Sequence, residues 1–190
     1  MKLTGKKFIL LILYTPNKEG KINAPIAGRT RFMKLVFLFD KEIKPDFEKD
    51  KSFEEIEMPA FQPWHYGPFS KDLLNDLEFL INQQYIEVEI SGAAPIPAEL
   101  EEYTFWIEEM NEFQSREYTE EVFKLTEEKG IPKGADIWSL LSKDQERILI
   151  EFKNALNSAP LDRLLDYVYN KYQKEGYTDK SVIRKKYLRY

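Results

Sequence analysis

The chain has no cysteine among its 190 residues. That excludes a disulfide framework, a thiol nucleophile and any thiolate metal centre, and it fits a reducing, cytoplasmic compartment. Histidine is almost as scarce. His65 stands alone, so no second imidazole is present to complete an ordinary zinc site. No G-x-G-x-x-G or G-K-[ST] segment offers a phosphate cradle, and no G-x-S-x-G elbow presents a serine nucleophile. Long apolar runs are missing as well. Phe8–Tyr14 is seven residues, against the roughly 20 that a membrane-spanning helix needs. Lys2, Lys6 and Lys7 ahead of it imitate a signal peptide, but the segment 15–20 offers no small-residue cleavage site. The run reads as a buried first helix, and the chain as one that does not enter a membrane.

What is present is the composition of a folded protein: 43% hydrophobic, 32% charged and 14% aromatic. The length suits one domain with a substantial core and an appended helical piece. The net charge of −5 hides an uneven distribution. Residues 87–121 carry 11 glutamates against Arg116 alone, whereas residues 180–190 hold Lys180, Arg184, Lys185, Lys186 and Arg189 and no acid. An acidic middle and a basic end constrain partners more than the total does.

Periodicity supplies the order of elements. A first helix covers 3–14 and stops at Pro16. Gly28 opens a second to about Ile43, striped by Phe32, Leu35, Val36, Phe39 and Ile43. Residues 44–60 read as a charged loop with one short helical turn. The aromatic decapeptide 61–70 then ends on Ser70, placed to cap a third helix to about Gln83 with Phe69 as its hydrophobic staple. Strict alternation from Tyr85 to Ile90 marks a strand, and 118–125 a second. Residues 103–110 fit strand or helix equally, and 126–130 a helix start or a tight turn. Ser142 and Gln145 form a capping box before a helix striped by Ile148, Leu149, Phe152 and Leu156. Ser158-Ala159-Pro160 reads as the start of another, carried by Leu161, Leu164, Leu165, Val168 and Tyr172.

Three helices followed by two strands is the order of a winged helix-turn-helix domain. The expected fold is therefore a mainly helical α+β protein. Residues 1–130 form the winged-helix-like domain with a long acidic wing insertion at about 87–121. Residues 131–190 form a C-terminal helical extension with a basic tail, packed on the same domain.

Four stretches carry a resemblance: Arg29-Thr30-Arg31-Phe32-Met33-Lys34-Leu35-Val36-Phe37-Leu38, Trp64-His65-Tyr66-Gly67-Pro68-Phe69-Ser70, Tyr85-Ile86 and Phe123-Lys124-Leu125-Thr126. They are similar to the YwgA-like proteins and the related SocA-type antitoxin (Panacea) domains over about residues 5–130. The helix at Ser158-Ala159-Pro160-Leu161 is similar to the segment C-terminal to that region in some YwgA-like chains. The resemblance implies a winged-helix fold and a regulatory or toxin-neutralising setting.

The residues themselves nominate few chemical sites. Arg29, Arg31 and Lys34 cluster at the start of the second helix, and Arg184, Lys185 and Lys186 in the tail. These are the candidate nucleic-acid contacts, the first three also reading as solubilisers of a hydrophobic helix edge. Groove docking by the third helix is disfavoured, because Lys71 there faces Asp72, Asp76 and Glu78. Trp64, His65, Tyr66, Gly67 and Pro68 read as a structural motif rather than a base-stacking platform. The carboxylate pairs Asp46/Glu48 and Glu87/Glu89 lack the setting of a metal nuclease. No catalytic residue, metal or cofactor is expected. In the acidic middle, Glu101, Glu102, Trp106, Glu108 and Glu109 mix carboxylates with an aromatic ring. They read either as wing and core or as a surface for a partner protein with a basic face. The leading expectation is a non-enzymatic regulatory or antitoxin-like module acting by protein contact. The alternative is a winged-helix transcriptional regulator that binds DNA.

Overall fold

The seven-residue apolar run occupies the middle of the core. In the computed structural model, which describes residues 1–64, 67–94 and 118–181, helix α1 covers Gly5–Tyr14. Phe8, Ile9, Leu10, Leu11, Ile12 and Leu13 are all buried. A helix apolar on every side has to be surrounded, and this one is. The ring of Phe8 meets Phe39 at 4.1 Å, Lys6 pairs with Asp76 at 2.5 Å, and Gly134 lies against the Tyr14 side chain. Before it, β1 (Lys2–Thr4) pairs in parallel with β3 (Glu55–Glu57), inside the stretch read from sequence as loop.

A short strand β2 (Ile26–Ala27) leads through Gly28 into α2 (Arg29–Leu38). Gly28 has φ 83° while its N–H bonds the Glu121 carbonyl at 2.8 Å, a left-handed corner that suits glycine. The helix does not run evenly to Ile43. It passes into a π-helical turn at Phe39–Ile43 and then α3 (Lys44–Phe47). One extra residue per turn shifts the outward face, an arrangement that recurs at functional positions in proteins.

The aromatic decapeptide is a hairpin, not an open loop. β4 (Gln62–Trp64) pairs antiparallel with β5 (Gly67–Phe69). Helix α4 (Lys71–Asn82) comes next, and the Ser70 side chain accepts from the Leu73 N–H as its spacing predicts. The strand read at 85–90 is longer: β6 spans Ile86–Ala94 and pairs antiparallel with β7 (Tyr118–Leu125). The three-stranded sheet has the order β2-β7-β6. Val88 and Phe123 face each other across it on the core side.

Residues 126–129 turn, and the Thr126 hydroxyl accepts the Gly130 N–H as α5 (Gly130–Trp138) begins. A Cβ on Gly130 would lie 2.1 Å from the Tyr85 carbonyl oxygen, so only glycine fits there. The capping box forms as expected: Ser142 accepts from the Gln145 N–H and the Gln145 side chain accepts from the Ser142 N–H, opening α6 (Lys143–Ser158). α7 covers Leu161–Lys171. Ser158 does not cap it. The residue belongs to the last turn of α6, where its hydroxyl donates to the Asn154 carbonyl. Leu149 reaches the main core from α6, and α7 lays Leu164 and Val168 on Phe37 and Leu38 of α2. The fold is mixed α and β. No helix among the described residues is long and apolar enough to cross a membrane.

Candidate interaction site

The cations at the start of α2 are spent inside the protein. Arg29 Nε bonds Glu121 of β7, while its Nη1 reaches Glu78 of α4 at 2.5 Å. Burial opposes its charge, but Glu121 and then Glu78 outweigh that, so the Arg29 pKa is raised. The guanidinium therefore ties the second helix to both the sheet and the third helix. Arg31 Nη1 donates to the carbonyls of Leu156 at 2.6 Å and Ala159 at 2.7 Å, securing the C-terminal end of α6.

Lys34 lies deeper. It is 2% exposed and donates from Nζ to the Pro68 carbonyl at 2.9 Å. Burial lowers its pKa to about 7. Met33 beside it accepts the Ser70 N–H at its sulfur, 3.3 Å away. Adjacent side chains of α2 thus anchor the β4–β5 hairpin and the cap of α4 together. Of the three expected nucleic-acid contacts, Lys34 is buried away from any surface, whereas Arg29 and Arg31 are half-buried and bonded within the protein. Thr30, Lys34 and Leu38 form one buried row at i, i+4 and i+8. A lysine on that row is an anchor.

Several described residues of the hairpin pack against other elements. Trp64 stacks on Phe69 at 5.8 Å between centroids, and Phe61 meets Phe37 edge-on. Gly67 has φ 83°, and a Cβ there would sit 3.1 Å from the Tyr169 ring of α7. Pro68 is buried and supplies the carbonyl that Lys34 holds. His65 and Tyr66 lie outside the described residues. So do Glu101, Glu102, Trp106, Glu108 and Glu109, along with Arg184, Lys185 and Lys186.

What α4 turns outward differs from a groove reader. Lys71, Asp72, Asn75 and Asn82 are exposed, and Phe79 is 47% exposed. Asp76 and Glu78 flank that face, already paired to Lys6 and Arg29. Lys71 and Asp72 are the charged groups at the start of that face, and further along it Phe79 stands out with the Lys6 ammonium 5.2 Å from its ring centroid. On the sheet, Ile90 is 66% exposed, on the same side as Val88 but past the end of the core.

Two features escaped the sequence reading. Lys153 of α6 is 2% exposed and donates to the carbonyls of Leu13 at 2.8 Å and Thr15 at 3.0 Å, capping α1 from another helix. Burial lowers its pKa to about 7. Its signal was its place four residues after Leu149 on the buried stripe. The second feature is Glu42 on the π turn, which accepts from Tyr172 at 2.7 Å and Tyr167 at 3.0 Å and pairs with Lys171 at 3.0 Å. No spacing rule links residue 42 to residue 172.

Among the described residues no group of three or more His, Asp or Glu side chains is disposed to hold a metal ion. No protein-family profile, curated protein or solved structure matches this chain.

Proposed function

We propose that this protein is a winged-helix-like regulatory or antitoxin-like module that works without catalysis, in the cytoplasm, by contact with a partner protein of basic surface. The winged-helix reading is supported by α1, β2, α2, α4, β6 and β7 following in that order, with α3 and β3–β5 inserted between α2 and α4, and by the sheet order β2-β7-β6. In that arrangement α4 takes the place of the helix that would enter the major groove.

The observation that carries the partner reading is the exposed face of α4. It offers Asp72, Asn75 and Phe79, while Arg29 and Lys34 are bonded to groups inside the protein. Duplex DNA carries a dense row of phosphates, and affinity for it comes from cations that displace counterions. An acidic helix held against that row repels it. A basic protein surface with an apolar pocket for Phe79 gains from the same groups, since an aromatic anchor beside complementary charge is the usual make-up of an interface centre. DNA contact is left to the tail residues Arg184, Lys185 and Lys186.

The test is a paired measurement on the full chain. Pull-down from native lysate is expected to recover a basic protein that is lost with Asp72→Lys combined with Phe79→Ala. A mobility assay on duplex DNA is expected to show only weak, sequence-independent binding. Tight binding to one duplex with a steep salt dependence, unaffected by the α4 substitutions, overturns the proposal in favour of the DNA-binding regulator.

A further inference from the structure

Residues 161–181 lie on one side of the molecule, against α2, the π turn and the β4–β5 hairpin. Their buried side chains do not join the core around α1. Leu164, Val168 and Tyr172 cluster with Phe37 and Leu38, and Leu165 pairs with Tyr169. The rims of the two regions meet at Phe61, Phe152 and Leu156.

The connection to α6 is short and already secured from elsewhere. Ala159 (ψ 136°) and Pro160 (ψ 141°) are both extended. Arg31 of α2 holds the Leu156 and Ala159 carbonyls. Two carbonyls at the C-terminal end of α6 are thus held by α2 and not by α7.

Among the described residues, the π turn gathers several polar contacts of the docked segment. Glu42 accepts from Tyr172 and Tyr167 and pairs with Lys171. Lys41 pairs with Glu175 at 3.6 Å and lies 4.8 Å from the Tyr177 ring centroid. On the far side, Tyr169 presses on the backbone of Gly67 and its hydroxyl meets Ser181 at 2.5 Å. The ring seals the hairpin only while α7 is docked.

We infer that residues 161–181 are a strap that opens as one unit, latched by Glu42, and that its closed position covers the β4–β5 hairpin and the Phe37/Leu38 face of α2. This goes beyond the partner reading and does not depend on it. Parts of a protein joined by a separate apolar cluster and a few polar contacts open below the global unfolding energy. Opening bares the Phe37/Leu38 face of α2 and the Gly67 backbone that α7 covers.

Hydrogen exchange by mass spectrometry on the full-length protein tests this. Segments 161–171 and 61–70 are expected to exchange in step and at least about tenfold faster than 5–14. Glu42→Gln removes the charge that two hydroxyls and one amine share, and is expected to speed both segments by about another tenfold with 5–14 unchanged. Gly67→Ala forces the Tyr169 ring back and is expected to speed the same pair. The inference fails if 161–171 exchanges at the rate of 5–14 in the unaltered protein. It fails equally if Glu42→Gln accelerates 5–14 as much, or if 161–171 opens while 61–70 stays protected.

Discussion

The core around α1 and the outer face of α2 are both apolar, yet they are held by different means. Around α1 the contacts are rings and aliphatic chains packed from every side, and the buried cation there, Lys153, donates to backbone carbonyls. On the outer face of α2 the apolar cluster is small, and a carboxylate with three partners fastens it. Close packing on every side is costly to open anywhere, because each displaced side chain leaves a void. A clasp built on one carboxylate can be released at one point. The difference assigns permanence to the first region and reversibility to the second.

That contrast is broken most directly at its strong end. Phe8→Ala removes a ring that touches Phe39 inside the main core. It is expected to cost about 3–5 kcal/mol in denaturant unfolding. Loss of less than about 1 kcal/mol there would place the core elsewhere.

The buried lysines come next. An unfolded lysine holds its proton to about 10.5, whereas Lys34 and Lys153 release theirs near about 7. Between those values the unfolded chain binds more protons, so stability is expected to rise with pH across that window and to be lowest below it. Lys41 and Lys171 are shifted the other way, Lys41 by its hydrogen bond to Tyr177 and Lys171 by those to Tyr167 and Glu42. Their contribution is present below the ordinary lysine value and is lost only as pH rises past it. Urea unfolding from pH 6 to 10 measures the slope, and Lys153→Met is expected to flatten it while retaining the fold. An unchanged slope in that variant would show that Lys153 stays charged.

Tyr172→Phe sharpens the weak end. The Tyr172 pKa is raised by burial and then by Glu42, so the hydroxyl keeps its proton and donates throughout the neutral range. Deleting it is expected to cost about 1.5–3 kcal/mol, the range for a hydrogen bond to a charged group. The loss is read locally, as faster exchange in 161–171. Ser70→Ala is expected to cost about 1 kcal/mol by removing the α4 cap. Smallest of all, Lys124→Ala breaks exposed pairs with Glu87 and Glu89 on the sheet surface and is expected to leave the melting temperature unchanged.

Local rules were legible where local physics decides. Strand 118–125, the Ser70 cap and the Ser142/Gln145 box each arise from spacing within a few residues, and each is present as read. The hairpin at 62–69 was hidden because Pro63 and Pro68 obscure any alternation, and its pairing depends on Lys34 and Tyr169 from other elements. The π turn was hidden because its stripe of apolar residues fits an even helix just as well. The cations on α2 were singled out, but their direction was not. Whether Arg29 meets a phosphate or Glu121 depends on a strand 92 residues away.

The capping of α1 by Lys153 has a consequence in time. The carbonyls of Leu13 and Thr15 wait for a lysine 140 and 138 residues further along the chain. At about 5–20 residues per second of synthesis, that is an interval of roughly 7–28 s. During it the most hydrophobic helix among the described residues has been made but lacks Lys153. Slowing translation between residues 15 and 153 lengthens that exposure and is expected to lower the soluble yield.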